Sequence, residues 1–375
     1  MKTDWSVNSK REFGEVKRIV VKVGSGVIAG KGRFRPKVIS ILAQDVTALR
    51  KQGYEIVMVV SGAVAAGFRS LALAKPPSAV VLRQAAASVG QHRLMATFAR
   101  EFGKHRTPIA QLLMSAEDIE NRRRFLSARH TLQMLLNHGV VPIINENDAL
   151  SDDEAKVGDN DHLAALLTSV ASADLLILLS HVRGLYHDET DEVIPQIDTG
   201  SDVDRHITSA IGESGVGGMK AKVSAARLAG QWGVSTIIAE GTKAETLLEV
   251  ISGKPVGTWF VSSGRKKLNS RKQWIAVRTR SLGAVRVDVG AQKAIVEKGA
   301  SLLPSGILEV EGDFSIGARV DVQDASGASF AVGLVSYPAD EIRRVCGRRA
   351  ADIKTVLGYV YVDEIIHRDD MVLLN

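Results

Sequence analysis

One cysteine, Cys346, stands alone in 375 residues, so no disulfide can form within the chain. A reducing compartment suits such a protein. No stretch approaches the ~20 uninterrupted apolar residues that a membrane span needs. The opening segment MKTDWSVNSKREFGEVKR has no apolar core, so it is not expected to act as a secretory signal. A cytoplasmic location with no membrane partner is therefore expected. Internal repeats and low-complexity tracts are also missing, which leaves no repeat array to consider. Acidic residues vanish from one window. Between Ser262 and Leu282 stand seven basic residues (Arg265, Lys266, Lys267, Arg271, Lys272, Arg278 and Arg280) and no acid. This window reads first as a solvated linker and second as a polyanion contact.

What is present is an ordinary globular composition, 45% hydrophobic and 24% charged. The length allows two domains. The net charge of +6 permits anionic substrates or nucleic acid and requires neither. Residues 18–260 alternate between two patterns. Apolar runs of buried-strand type fall at 19–23, 56–60, 140–144, 175–179 and 234–239, with helical spacing at 36–52, 79–103, 122–138, 160–172 and 219–232. Continuous apolar strands separated by helices predict a mostly parallel sheet covered on both faces, a three-layer α/β/α sandwich. After about residue 283 the pattern changes to short alternating pieces at 284–289, 307–311, 318–322 and 330–335, with a turn at Ala325-Ser326-Gly327. These predict a small β domain. The expected division is an N-terminal extension at 1–17, an α/β catalytic domain at 18–261, a basic linker at 262–282 and the β domain at 283–375.

Chemistry concentrates in 143–166, IINENDALSDDEAKVGDNDHLAAL. An apolar strand stops at Asn145-Glu146-Asn147-Asp148, and after a loop Gly158-Asp159-Asn160-Asp161 opens a helix. Amides and carboxylates at the carboxyl end of a strand sit where open α/β sheets bind ligands. Turn and cap preferences explain either cluster alone, but less readily two that bracket one loop. The first strand ends Val21-Lys22-Val23-Gly24-Ser25-Gly26. A lysine inside a buried strand is costly unless its ammonium meets an anion, although snorkelling to water is the plain alternative. This is not a Walker loop, because Gly-x-x-x-x-Gly-Lys-Ser/Thr is absent there. The second strand runs into Ser61-Gly62 and then small residues, which suits a carboxylate or phosphate at a helix start; Ser61 could equally be only a helix cap. A glycine-rich stretch, Gly215-Val216-Gly217-Gly218-Met219-Lys220-Ala221-Lys222, is expected to form a loop before a helix at 223–232. With Lys22 it suggests two lysines converging on one phosphate chain. His92, His105, His130, His138, His187 and His206 are scattered without metal-ligand spacing, so no metal site is expected among them. Arg122-Arg123-Arg124 reads as a solvated helix face.

Together the segments KVGSG (22–26), VSGAVAAG (60–67), IINENDA (143–149), KVGDND (156–161), GLY (184–186), GGMKAK (217–222) and GASLLPSGI (299–307) resemble the amino-acid kinase family, and within it the kinases of the glutamate side-chain carboxylate. The likeness covers about residues 18–375, and the tail resembles a PUA module, a small β-barrel. The resemblance implies ATP- and Mg²⁺-dependent phosphorylation of the γ-carboxylate of L-glutamate, at the entry to proline biosynthesis. By the same resemblance Lys22 and Lys222 touch ATP phosphates, and Asp161 joins them in catalysis by orienting them. Ser61, Asp148 and Asn160 hold the amino acid. Gly24, Ser180, His181, Val216, Gly217, Gly218, Met219, Lys220 and Ala221 line the nucleotide with the two lysines. No residue is expected to ligate metal directly. A homo-oligomer, dimer or tetramer, and feedback inhibition by proline are further implications.

Four positions depart from the family pattern. Gly26 stands where a hydroxyl residue is usual, Ser180-His181 replaces Thr-Asp, and Val216 and Ala221 replace threonines. All lie on the nucleotide side. Two rival readings remain at this stage. One is a sibling kinase of another carboxylate such as N-acetylglutamate, against which Asp148 argues, because an acylated amine carries no charge to pair. The other is a primarily RNA-binding protein, motivated by the PUA-like tail and the basic window. Aromatic interleaving there is limited to Trp274.

Overall fold

The structure, a computed structural model, describes residues 10–30, 33–150, 159–190, 192–198, 203, 206, 216–262, 275 and 281–374. The chain divides into two compact units, Met1–Lys266 and Lys267–Asn375. Among the described residues of the first unit, ten strands form: β1 (Arg18–Val23), β2 (Ala29–Gly30), β3 (Arg33–Phe34), β4 (Glu55–Val60), β5 (Ile109–Met114), β6 (Val141–Glu146), β7 (Leu175–Ser180), β8 (Gln196–Ile197), β9 (Ser235–Glu240) and β10 (Thr258–Phe260). Eight of them make one sheet in the order β5-β6-β4-β1-β7-β9-β10-β8. Every neighbouring pair is parallel except β9 with β10. The helices between them are α1 (Ser25–Ile28), α2 (Pro36–Lys51), α3 (Ala63–Gly67), α4 (Val80–Gly103), α5 (Ala116–Glu120), α6 (Arg122–Asn137), α7 (Asp159–Ala171), α8 (Val216–Gly230) and α9 (Thr246–Ile251).

The five long apolar runs are strands within two residues of the expected limits, because central parallel strands are buried on both faces. Strand alternation then assigns the faces. Ile19, Val21 and Val23 of β1 join Met58, Val60, Ile177 and Leu179 in a core completed by Ile39, Leu42 and Val46 of α2 and Phe98 and Phe102 of α4. Lys22 must therefore point to the opposite face, in register with Val59 and Leu178. That face receives α7. The N-terminal segment is not a loose appendage where it is described. Arg11 is buried and its guanidinium donates to the carbonyls of Val256, Pro195 and Gly257 at 2.6–2.7 Å, and Phe13 meets Trp259 edge to face.

One close approach fixes the turn after β4. A Cβ on Gly67 would lie 2.0 Å from the Ala86 carbonyl, and one on Gly90 only 1.8 Å from the Ala63 carbonyl. Helices α3 and α4 thus touch backbone to backbone, which only glycine allows.

In the second unit the strands are β11 (Gly283–Val287), β12 (Ile307–Gly312), β13 (Arg319–Gln323), β14 (Ser329–Leu334) and β15 (Met371–Leu373), ordered β12-β11-β13-β14-β15. Only β11 with β13 is parallel. The expected turn stands between β13 and β14, with Gly327 at φ +89°. Two features differ from the sequence reading. The strand expected to reach 289 ends at Val287, because Asp288 caps a helix, Val289–Lys298, by accepting from the Ala291 amide at 2.7 Å. A fifth strand, β15, is too short to carry a legible alternation.

Candidate active site

Lys22 lies one residue before the end of β1, and α7 begins on the same face of the sheet. Asp161 falls in the first turn of α7, where the helix dipole favours a carboxylate. Its Oδ1 is 2.6 Å from the Lys22 Nζ, while the Lys222 Nζ donates to its Oδ2 at 3.0 Å and to the Gly218 carbonyl at 3.2 Å. All three side chains are buried: Lys22 is 4% exposed, Asp161 2% and Lys222 8%. Burial pushes the Lys22 ammonium below its ordinary range; Asp161 opposes that shift and the Lys222 charge adds to it. Two cations share one anion in a desolvated pocket, so the trio carries an excess positive charge. Burying charge is expensive, and an anionic ligand is what such an arrangement is short of. Gly24 adds room beside the trio: a Cβ there would sit 3.7 Å from the Lys22 Nζ, and its amide donates to the Leu179 carbonyl at 3.0 Å.

The glycine-rich stretch is not a loop through Lys222, as the sequence suggested. Helix α8 already starts at Val216, so Gly217 to Lys222 occupy its first two turns. Free amides at such a terminus still point outward, and glycine leaves them accessible. Met219 is buried and Lys220 exposed. Gly215, residues 151–158, and residues 263–274 and 276–280 of the basic window lie outside the described residues, as do the side chains of Arg122, Arg123, Asp159 and Val216.

The two Asn/Asp clusters do meet. Asn160 Oδ1 accepts from the Glu146 amide at 3.3 Å, which ties the start of α7 to the end of β6. Asn145 is buried; its Oδ1 also accepts from the Glu146 amide, at 2.9 Å, and its Nδ2 donates to Gln91 Oε1 at 2.8 Å. Asp148 is half-buried in the turn that follows. Gln91 of α4 is a contributor that the sequence gave no means of finding, since its partner is 54 residues away.

Ser61 is not a cap. The residue at the cap position of α3 is Gly62, at φ +111°, with no side-chain hydrogen bond. Ser61 instead stands between β4 and that turn, its amide donating to the Val23 carbonyl at 3.2 Å. Because α3 has only five residues, its dipole is weak and the hydroxyl is the stronger recommendation.

At the nucleotide-side positions, Ser180 is buried and His181 exposed. A Cβ on Gly26 would stand 3.0 Å from the His181 Nδ1. Two departures from the family pattern are therefore one feature: the imidazole occupies space that a side chain at position 26 would need.

Residues 17–240 match the amino acid kinase family. Curated relatives agree over nearly the whole length. Glutamate 5-kinase of Syntrophotalea carbinolica is 46% identical over 369 residues, covering 96% of this chain and 98% of that one. The chain belongs to the amino acid kinase family. Glutamate 5-kinases of Geobacter sulfurreducens (44% identical, 96% and 99% covered) and Myxococcus xanthus (44%, 96% and 96%) are similarly close. Residues 283–357 match the PUA domain. A carbamate kinase structure from Giardia aligns with a TM-score of 0.48 at 17% identity, covering 67% of this chain and all of that one. Family membership makes the chain a phosphotransferase with ATP as co-substrate. Among the described residues no helix is long and apolar enough to cross a membrane.

Proposed function

We propose that this chain transfers the γ-phosphoryl group of ATP to the γ-carboxylate of L-glutamate, giving L-glutamyl 5-phosphate at the entry to proline biosynthesis. The observation that carries the reading is the buried trio, in which Lys22 and Lys222 are both held on Asp161. A carboxylate oxygen of glutamate attacks the γ-phosphorus, the bond to the bridging oxygen breaks, and ADP leaves with that electron pair. The acceptor is already ionised at neutral pH, so no strong general base is needed. What the reaction requires is positive charge around the transferring group, and the two ammonium groups supply it in a desolvated setting.

Asp161 gives both oxygens to lysines, so it serves as a positioning residue and not as a metal ligand. Mg²⁺ fits here as an ion carried on the phosphate oxygens and water, which is its usual habit; there it neutralises charge on the nucleotide. Ser61 suits the α-carboxylate of glutamate and Asp148 its α-ammonium, and Asn160, tied to the end of β6 through the Glu146 amide, holds the amino acid beside them. Gly24, Ser180, His181 and the amides of Gly217 and Gly218 border the nucleotide, with Val216, Met219, Lys220 and Ala221 alongside. The name of the relatives, glutamate 5-kinase, supports free glutamate as the acceptor over its acetylated form. Residues 18–261 serve as the catalytic domain and 283–375 as a regulatory or assembly module, in a cytoplasmic homo-oligomer inhibited by proline.

The acyl phosphate product is reactive, so hydroxylamine traps it. The expected result is ATP- and Mg²⁺-dependent hydroxamate from L-glutamate and much less from N-acetylglutamate. No hydroxamate from glutamate under any nucleotide condition would sink the proposal.

A further inference from the structure

Histidines 187 and 206 look unrelated in the sequence, yet the fold sets them around one carboxylate. His206 Nδ1 is 2.9 Å from Asp188 Oδ1, and His187 Nδ1 is 3.4 Å from the same oxygen. The two rings are 4.9 Å apart, tilted by 42°. One potential ligand atom from each of the three residues lies within 4.8 Å of the others. We propose that His187, Asp188 and His206 form a binding site for a divalent transition-metal ion of the zinc class.

The spacing fits. A tetrahedral ion with bonds of ~2.0–2.1 Å holds its donors about 3.3 Å apart. Two imidazoles and one carboxylate are a borderline donor set, suited to zinc, cobalt or nickel and poorly suited to magnesium or calcium, which take oxygen. A hydrogen bond from His206 to Asp188 accounts for one contact only. His187 Nδ1 accepts from the Glu189 amide at 3.2 Å, so a metal would be held through Nε2 or in place of that long hydrogen bond.

Backbone hydrogen bonds hold the segment that carries His187 and Asp188. Tyr186 bridges to Val193, and the His187 amide donates to the Glu192 carbonyl at 2.8 Å, which fixes a tight hairpin. His206 is buried at 4% exposure and lies eighteen residues further along the chain than Asp188. A metal would cross-link those two places, just ahead of α8.

The test uses the full-length protein, stripped of metal and free of nucleotide, titrated with Co²⁺. One equivalent per chain with a visible d–d band, displaced by Zn²⁺ but not by millimolar Mg²⁺, is expected. His206→Ala and Asp188→Asn should each weaken binding beyond the ~10–100-fold that losing an outer-sphere partner costs. His187→Gln supplies a second, more conservative variant if His206→Ala fails to fold, and it too should lose the band. Substoichiometric binding by the wild type, a band retained in folded His206→Ala or His187→Gln, or displacement by Mg²⁺ would each overturn the assignment.

Discussion

The two units handle buried charge in opposite ways. In the first, Lys22, Asp45, Glu101, Glu146, Asp161 and Lys222 are all buried, and three of them meet in one cluster. In the second, the core of Val285, Val320, Val322, Ala331, Ile342, Val345 and Ile366 is apolar, and Arg319 is the only charged residue buried among those described. Arg319 donates to the Ser281 hydroxyl at 2.7 Å and is peripheral to that core. Charge in an interior is costly, so a cluster of buried charges is a candidate for chemistry. The apolar unit shows no such cluster among its described residues. On the proposed reading, phosphoryl transfer lies wholly in the first unit.

The largest effect that would sharpen the contrast is on turnover. Lys22→Ala and Lys222→Ala should each depress kcat by at least ~100-fold, because stabilisation specific to the transition state is lost. Steady-state kinetics check this. Asp148→Ala and Asn160→Ala should instead raise the glutamate KM chiefly.

Asp161→Asn tests the cluster from its anionic side. Two buried ammonium groups would lose their shared partner, a change that costs about 3–5 kcal/mol when a buried pair is broken. Chemical denaturation measures that loss. The pH dependence carries a sign as well. Charged Lys22 is the active form, so kcat/KM falls as pH rises through its depressed value. Asp161 is what holds that value up, so in Asp161→Asn the alkaline limb must move to lower pH. A limb that stays in place would mean that Lys22 does not govern it.

The strands that were legible in the sequence are those with continuous apolar runs at the sheet centre. Strand β5, IAQLLM, went unread because it is an edge strand, half-exposed and interrupted by Gln111. Strands β8 and β10 are two and three residues long, too short for any periodicity. At the site, a lysine inside an apolar run and acids at a strand's end were visible because both violate burial preferences. Gln91 and the Gly67–Gly90 contact were not visible, because each depends on a partner that only the fold supplies. The same holds for His187 and His206. Sequence spacing recognises metal ligands within one element, whereas these come from separate segments.

Smaller effects probe the nucleotide edge. His181→Asp removes the ring that faces Gly26 and adds a negative charge, so the apparent ATP KM should change several-fold while the glutamate KM stays within a few-fold. The opposite pattern would place His181 at the acceptor. The smallest effect is expected from the tail. Truncation after residue 262 should leave a folded kinase with kcat near that of the full chain, while changing proline inhibition or subunit association, read by inhibition curves and sedimentation. A well-folded truncate without activity would break the contrast between the units.

The central claim is that the buried lysines act on the transferring group and not merely on nucleotide affinity. Single-turnover phosphoryl transfer in Lys222→Ala, measured beside equilibrium binding of a non-hydrolysable ATP analogue, tests it most directly. The account predicts a transfer rate lower by at least ~100-fold with analogue affinity changed by roughly tenfold or less. A transfer rate near wild type, or a loss confined to affinity, would contradict it.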